Sequence, residues 1–250
     1  MKTMIAFDLD GTLAESKQAI QEPMAGLLGR LLDVASVCVI SGGDWPQFEK
    51  QVVSRLPEGA KIERLFIMPT TGTKLYRAQD GAWTQIYADD FSPDERDKIV
   101  HALDQAMRDA GYGDEQVWGE RIEDRGSQVT FSALGQEAPL GPKSAWDPDQ
   151  QKRRKLQGIL RPMLPGLSIN IGGATSIDVT REGIDKAYGM RRLCEVAGIT
   201  PEQILFFGDA IYPGGNDEPV KNAGIDSVKV RDVEDTQSAV AAVIACLGSK

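Results

Sequence analysis

Two aspartates stand two residues apart in the run Asp8-Leu9-Asp10-Gly11-Thr12, at the point where a short apolar stretch breaks off. A strand that stops there leaves both carboxylates free to face one crevice, and crevices at the carboxyl ends of parallel strands are where open α/β sheets bind ligands. The chemistry that suits such a pair is phosphoryl transfer. One carboxylate attacks phosphorus and the other serves as acid and base, which divides a very slow hydrolysis into two easier steps. Alone, the same run also reads as a capped Asp-Gly turn.

Three further pieces follow at the ends of later apolar runs. Phe206-Phe207-Gly208-Asp209 ends a second buried strand on an acid, then continues through Ala210-Ile211-Tyr212-Pro213-Gly214-Gly215-Asn216-Asp217, a turn-rich loop loaded with oxygen donors. Mg²⁺ wants hard oxygen ligands and few protein carboxylates, which Asp8 and Asp209 supply. Ser41-Gly42-Gly43 offers a hydroxyl and backbone N–H groups to a phosphate. Lys186 adds the positive charge that a phosphoryl group and a carboxylate nucleophile both need. A plain turn and a solvated helix lysine are the ordinary readings of these last two, and it is the recurrence at strand ends that favours a catalytic one.

The elements that must position these residues are legible in outline. Residues 4–9, a helical pattern over 19–32 and an apolar run over 34–40 form the strand-helix-strand of a parallel crossover. Residues 45–56 read as a helix, 64–68 as a strand, and Thr70-Thr71-Gly72-Thr73 as the opening of a hairpin that turns at Gln79-Asp80-Gly81. From Phe91 the texture changes. Ser92 and Glu95 make a capping box for a helix to about residue 110, residues 128–133 alternate like a half-exposed strand, and Asp147-Pro148 caps a basic helix. Strands over 167–171 and 176–180 follow, and after Gly183 the crossover pattern returns, with a helix over 186–197, strands over 204–207 and 225–230, and a last helix over 233–247. The fold class is α/β: a Rossmann-like core, a parallel sheet with helices on both faces, built from residues 1–80 and 183–250, with an α+β cap domain of residues 81–182 inserted.

Composition narrows the field. With 250 residues, 41% hydrophobic and 26% charged, the chain matches an average soluble globular protein. Its 28 basic and 37 acidic residues leave a net charge of −9, against nucleic-acid or anionic-membrane surfaces but compatible with a small anionic substrate held by local lysines and arginines. Cys38, Cys194 and Cys246 read as buried thiols of a reducing compartment, and acids arriving by position 8 argue against a secretory signal, so a cytoplasmic protein is expected. His101, the single histidine, reads as a surface residue, which removes Ser-His-Asp chemistry. Trp45, Trp83, Trp118 and Trp146 read as scattered packing residues, and Lys152-Arg153-Arg154-Lys155 as a solvated helix face.

The order DLDGT, ISGG, a downstream lysine, then FFGD with a further acid resembles the four motifs of the haloacid dehalogenase superfamily. The resemblance implies a Mg²⁺-dependent mechanism through an aspartyl-phosphate. Asp8 is then the nucleophile, Asp10 the general acid/base and Lys186 the third catalytic residue. Ser41, Gly42 and Gly43 bind phosphate, and Asp8, Asp10, Asp209 and Asp217 surround the metal. The inserted segment looks like the type IIB cap of Cof-type and sucrose-phosphatase-type hydrolases. The loop FFGDAIYPGGND is closer still to the eukaryotic-type phosphomannomutases, and residues 171–179 resemble their sugar-contacting strand, which implies that Ser176 and Asp178 hold substrate hydroxyl or phosphate groups.

The departures from that family are specific. A mutase that holds two phosphates by turns needs arginines in its cap, because a guanidinium binds phosphate bidentately and lysine does not. Arg125 fits the first such position, Gln136 stands at the second and Lys143 near the third, while Lys17 stands where the core domain of the mutases has an arginine. Ser41 is the phosphatase-like residue of its motif. The resemblance thus implies a sugar-phosphate enzyme that interconverts mannose 6-phosphate and mannose 1-phosphate, in a family often dimeric through the cap. The alternatives are a type IIB sugar-phosphate phosphatase and, more remotely, a non-catalytic binding module.

Overall fold

The computed structural model describes residues 1–248. The chain divides into two units, one made of Met1–Ala88 and the stretch from Ile184 onward, the other of Asp89–Gly183. The first unit contains β1 (Met4–Asp8), α1 (Glu22–Val34), β2 (Ser36–Ile40), α2 (Trp45–Gln51), β3 (Leu65–Met68), β4 (Lys74–Gln79) and β5 (Ala82–Ala88). The second contains α3 (Pro93–Asp109), β6 (Ile122–Asp124), β7 (Gln128–Ser132), α4 (Leu140–Trp146), α5 (Gln151–Met163), β8 (Leu167–Ile171) and β9 (Ser176–Arg181). The first unit resumes with α6 (Lys186–Ala197), β10 (Ile204–Gly208), α7 (Glu218–Asn222), β11 (Asp226–Lys229) and α8 (Val233–Gly248). Among the described residues no helix is long and apolar enough to cross a membrane.

The first unit is built on a seven-stranded sheet in the order β11-β10-β1-β2-β3-β4-β5, parallel from β11 to β3 and antiparallel through β4 and β5. Its central strands are apolar at nearly every position because both faces are covered. Ile5, Phe7, Val37, Val39, Leu65 and Ile67 enter one core with Met24, Leu28 and Leu31 of α1. The alternate residues Met4, Ala6, Cys38, Ile40, Phe66 and Met68 enter a second core with Met190 and Leu193 of α6. The register sets Asp8 opposite Ile40 and Phe7 opposite Phe207, so the chain leaves β1, β2 and β10 along one sheet edge.

The second unit is a four-stranded antiparallel sheet, β6-β7-β9-β8, with α3 and α5 packed on the face formed by Val129, Phe131, Ile169, Ile177 and Val179. Ser92 caps α3 by the expected reciprocal bonds with Glu95.

Several expectations change. The core continues to Ala88 rather than residue 80, because the Asp80-Gly81 turn, with both residues at positive φ, returns the chain as β5 onto β4 and so into the large sheet. The helix after Ser41-Gly42-Gly43 stops at Gln51, where the β-branched pair Val52-Val53 gives way to a 3₁₀ turn. β7 is buried at all five positions instead of half-exposed, since its polar residues bond to one another and to β9: Gln128 donates to Thr130, Thr130 to Asp178, and Ser132 pairs with Ser176. Of the thiols only Cys38 is buried; Cys246 is exposed on α8. Trp45 and Trp83 are not scattered but meet with ring centroids 5.3 Å apart, and Trp45 also stacks 4.3 Å from the Tyr76 ring.

The basic run is a solvated face only in part: Arg154 and Lys155 are exposed, Lys152 is half-buried and Arg153 is buried. Arg153 is 5% exposed and bonded to Asp147, Lys152 lies over the Trp146 ring, and the Lys155 ammonium donates to the Ala110 carbonyl. Asp147, itself buried, also accepts the amides of Lys152 and Arg153 at the start of α5. Burial raises its pKa, but Arg153 and these amides outweigh burial and hold it below the ordinary aspartate value. Asp147→Asn is expected to cost about 3–5 kcal/mol, because it strands a buried guanidinium. A depressed folded pKa contributes stability above the unfolded value near 3.9 that is lost as pH falls through the folded one. Urea unfolding should therefore show the wild-type advantage over the variant intact at pH 6 and shrinking below about pH 4.

Candidate phosphoryl-transfer site

Four of the residues selected from sequence meet at the edge where β1 and β10 end. Asp8 closes β1 and is 4% exposed, Lys186 opens α6 at 2%, Asp217 stands at 0% just before α7, and Asp209 follows β10. The Lys186 ammonium lies 2.6 Å from Asp8 Oδ1 and 2.6 Å from Asp217 Oδ1. Asp185, immediately before, caps α6 by accepting the Tyr188 amide, which fixes the first turn that carries Lys186. Asp217 Oδ2 accepts the Ala210 amide, so this one carboxylate ties the loop after β10 back to its own root and holds the lysine as well.

The electrostatics are those of a cation site with a built-in counter-charge. The Asp8 carboxyl stands raised to about 6, the net of burial, which pushes it up most, Lys186, which pulls it down, and Asp217, which pushes it up. Burial pulls the Lys186 pKa down, but Asp8 and Asp217 outweigh it and hold the ammonium above the ordinary lysine range. Asp209 is raised by burial and by the charge of Asp217. One carboxylate oxygen each from Asp8, Asp209 and Asp217 lies within 4.8 Å of the others. Three hard oxygen donors against a single ammonium leave a charge of −2 when all are ionised, so the residues fit a divalent cation such as Mg²⁺.

Asp10 stands outside that group of three; its Oδ1 accepts the amide of Lys17, a residue at φ +60 on the exposed turn that follows. Gly11, between strand and turn, has φ +80, and a Cβ there would lie 2.5 Å from Asp209 Oδ2. Glycine is required here by conformation and by space at once.

Ser41, Gly42 and Gly43 follow β2 and are strapped from behind by the loop after β3. The Thr70 amide donates to Gly43 O at 2.8 Å and the Thr71 amide to Ser41 O at 2.9 Å. Thr70, Thr71 and Gly72 are consecutive left-handed residues, at φ 46, 60 and 85. For β-branched residues this costs about 1–3 kcal/mol each and persists only where the surroundings impose it. Here Gly72 is pressed against Gly189 of α6 with no room for a Cβ, and Tyr87 donates its hydroxyl to the Gly72 carbonyl. The strained turn thus joins the Ser41 loop to the helix that carries Lys186. From sequence Thr70-Thr71 reads only as a hairpin opening, and nothing in two threonines announces positive φ.

Arg125, Lys143, Ser176 and Asp178 belong to the second unit. Ser176 and Asp178 lie on the polar face of β9, opposite Ser132 and Thr130 of β7. Burial pushes the Asp178 carboxyl up against the opposing pull of the Thr130 hydroxyl and Arg125. Arg125 is forked onto Glu123 at 2.8 and 2.9 Å. Lys143 donates to the main-chain carbonyl of Gln136, whose side-chain Nε2 is buried with no hydrogen-bond partner. Thr130, Glu123 and Arg153 are not selected by the sequence reading; the alternation of β7 is the signal for Thr130, while nothing marks the other two.

The model of the eukaryotic phosphomannomutase family matches residues 24–246. The chain is similar to the phosphomannomutase of Encephalitozoon cuniculi, 26% identical over 243 residues that cover 94% of this chain and 91% of that protein. It is 27% identical over 221 residues to that of Schizosaccharomyces pombe, covering 86% and 84% of the two chains. Among solved structures its fold is similar to a haloacid dehalogenase-like hydrolase from Bacteroides thetaiotaomicron, with a TM-score of 0.64, 16% identity and coverage of 97% and 100%. A family match spanning nearly the whole chain places this enzyme in the eukaryotic phosphomannomutase family, on a fold similar to that of a haloacid dehalogenase-like hydrolase.

Proposed function

We propose that the protein transfers the phosphoryl group of a sugar phosphate through Asp8, in a phosphomannomutase-like reaction between mannose 6-phosphate and mannose 1-phosphate. The observation that carries this reading is the buried Asp8–Lys186–Asp217 chain beside Asp209. An Asp8 oxygen attacks phosphorus, the bond from phosphorus to the sugar oxygen breaks, and Asp10 gives that oxygen its proton. In the second half, Asp10 takes a proton from the incoming hydroxyl as its oxygen attacks phosphorus and the bond to Asp8 breaks. Lys186 neutralises the nucleophile in the resting site and the phosphoryl oxygens as charge moves onto them. Asp8, Asp209 and Asp217 would hold Mg²⁺, which supplies charge neutralisation for the phosphoryl group. Lys17 and the Ser41-Gly42-Gly43 loop would bind the phosphate, and Ser176 and Asp178 the sugar hydroxyls.

A second reading, hydrolysis of the same ester, is favoured by Gln136 and Lys143. A mutase returns its phosphoryl group to a sugar whose other end is already phosphorylated, and that end needs bidentate cations. Here one position is an amide and the lysine at the other already donates to Gln136 O. Phosphorus NMR with Mg²⁺, mannose 1-phosphate and a trace of hexose 1,6-bisphosphate separates the two: a growing 6-phosphate signal marks the mutase, inorganic phosphate the phosphatase, and an unchanged spectrum defeats both. Gln136→Arg is expected to raise the ratio of mutase turnover to phosphate release by about tenfold, the worth of one charge-assisted bond. An unchanged ratio would remove Gln136 from the account.

A further inference from the structure

Arg153 lies in a basic run, yet its guanidinium is spent entirely inside the second unit. Nε donates to Asp147 Oδ2 at 2.7 Å and one terminal nitrogen to the Asp147 carbonyl at 2.9 Å. The other terminal nitrogen reaches the carbonyls of Gly172 at 3.3 Å and Gly173 at 2.5 Å. These two glycines begin the turn between β8 and β9. Gly172 N donates to Ser176 O and Ser176 N to Gly173 O, which closes the turn on the first residue of β9. The backbone of Gly172 also approaches Asp178 so closely that a Cβ would lie 2.7 Å from Asp178 Oδ2.

We propose that Arg153 is a positioning residue for sugar recognition, holding the Gly172-Gly173 turn so that Ser176 and Asp178 keep the spacing with which they bind sugar hydroxyls. This rests on the proposal that Ser176 and Asp178 contact the sugar. The planar fork suits the task, because it engages a carboxylate on one edge while donating to two carbonyls on the other, which a single ammonium cannot do. Asp147 keeps the fork from rotating, and the amides of α5 in turn keep Asp147 in place.

Arg153→Lys retains a cation for Asp147 and gives up the grip on the turn. Steady-state kinetics of the full chain with Mg²⁺ would compare mannose 6-phosphate with phenyl phosphate, which has no sugar to recognise. Arg153→Lys should lower kcat/KM for the sugar phosphate about tenfold, mostly through KM, and leave phenyl phosphate within about twofold, since small misplacements of binding groups carry such effects. Equal values for both substrates in variant and wild type, or an equal loss on both, would overturn the assignment. Should Arg153→Lys fail to fold, Gly172→Ala displaces the same turn through the crowding against Asp178, and the same substrate contrast decides. Ser176→Ala and Asp178→Asn test the underlying reading separately: if neither raises KM for the sugar phosphate, the sugar contact itself is wrong, whatever Arg153 does.

Discussion

Asp8→Asn is expected to lower turnover of any phosphate ester by about 10⁴-fold or more, because it removes the nucleophile of a mechanism whose parts act as a unit. The same substitution should not weaken the fold. The asparagine side chain matches aspartate in size and removes one of the carboxylates crowded within 4.8 Å, while Lys186 keeps Asp217 at 2.6 Å. Asp8 is pushed up by burial and by Asp217, so the buried charge is held at a cost that the variant no longer carries. Thermal unfolding should therefore give a midpoint equal to or above that of the wild type. Loss of activity with a lowered midpoint would point to a structural Asp8 instead of a reacting one.

Lys186→Met should have the opposite balance. It leaves Asp8 and Asp217, 4% and 0% exposed, without their shared counter-charge. Removing one partner of a buried ion pair costs about 3–5 kcal/mol, since the remaining charge stays desolvated. Chemical denaturation should register that loss, and activity should fall by about 10²–10³-fold with the loss of a preorganised cation. The double variant Lys186→Met, Asp217→Asn should recover part of the stability and none of the activity, because it removes one of the two stranded charges without restoring the cation. A double variant as unstable as the single one would show that Lys186 supports the fold in some way other than pairing with Asp217.

How far these residues can be read from sequence depends on whether a local pattern carries the information. The core is legible because parallel strands covered on both faces are apolar at nearly every position, as in Met4–Asp8 and Ser36–Ile40, and because their ends break abruptly into Asp, Ser and Gly. Asp8, Ser41 and Asp209 stand at or just after those breaks. Asp217 is legible as an acid in a loop, but its grip on Lys186 and on the Ala210 amide joins positions 31 and 7 residues away, and no local pattern records them. β7 misleads because alternation ordinarily means one wet face, whereas Gln128, Thr130 and Ser132 satisfy one another and β9. Arg153 misleads because a basic run reads as solvated, and only the fold brings Asp147 and two glycine carbonyls to one of its four members. The left-handed Thr70-Thr71 pair is imposed by what surrounds it, against the preference of both residues.

That Asp8 carries the phosphoryl group is tested most directly by trapping the intermediate. Wild-type protein is mixed with Mg²⁺ and mannose 1-phosphate, quenched in acid within the first turnover, and the modified residue is mapped by peptide mass spectrometry. A single phosphoryl group is expected on the peptide containing Asp8, and none when Asp8→Asn is treated in the same way. Sugar-phosphate turnover with no phosphoryl group on that peptide, or with one on a different residue, would contradict the role given to Asp8.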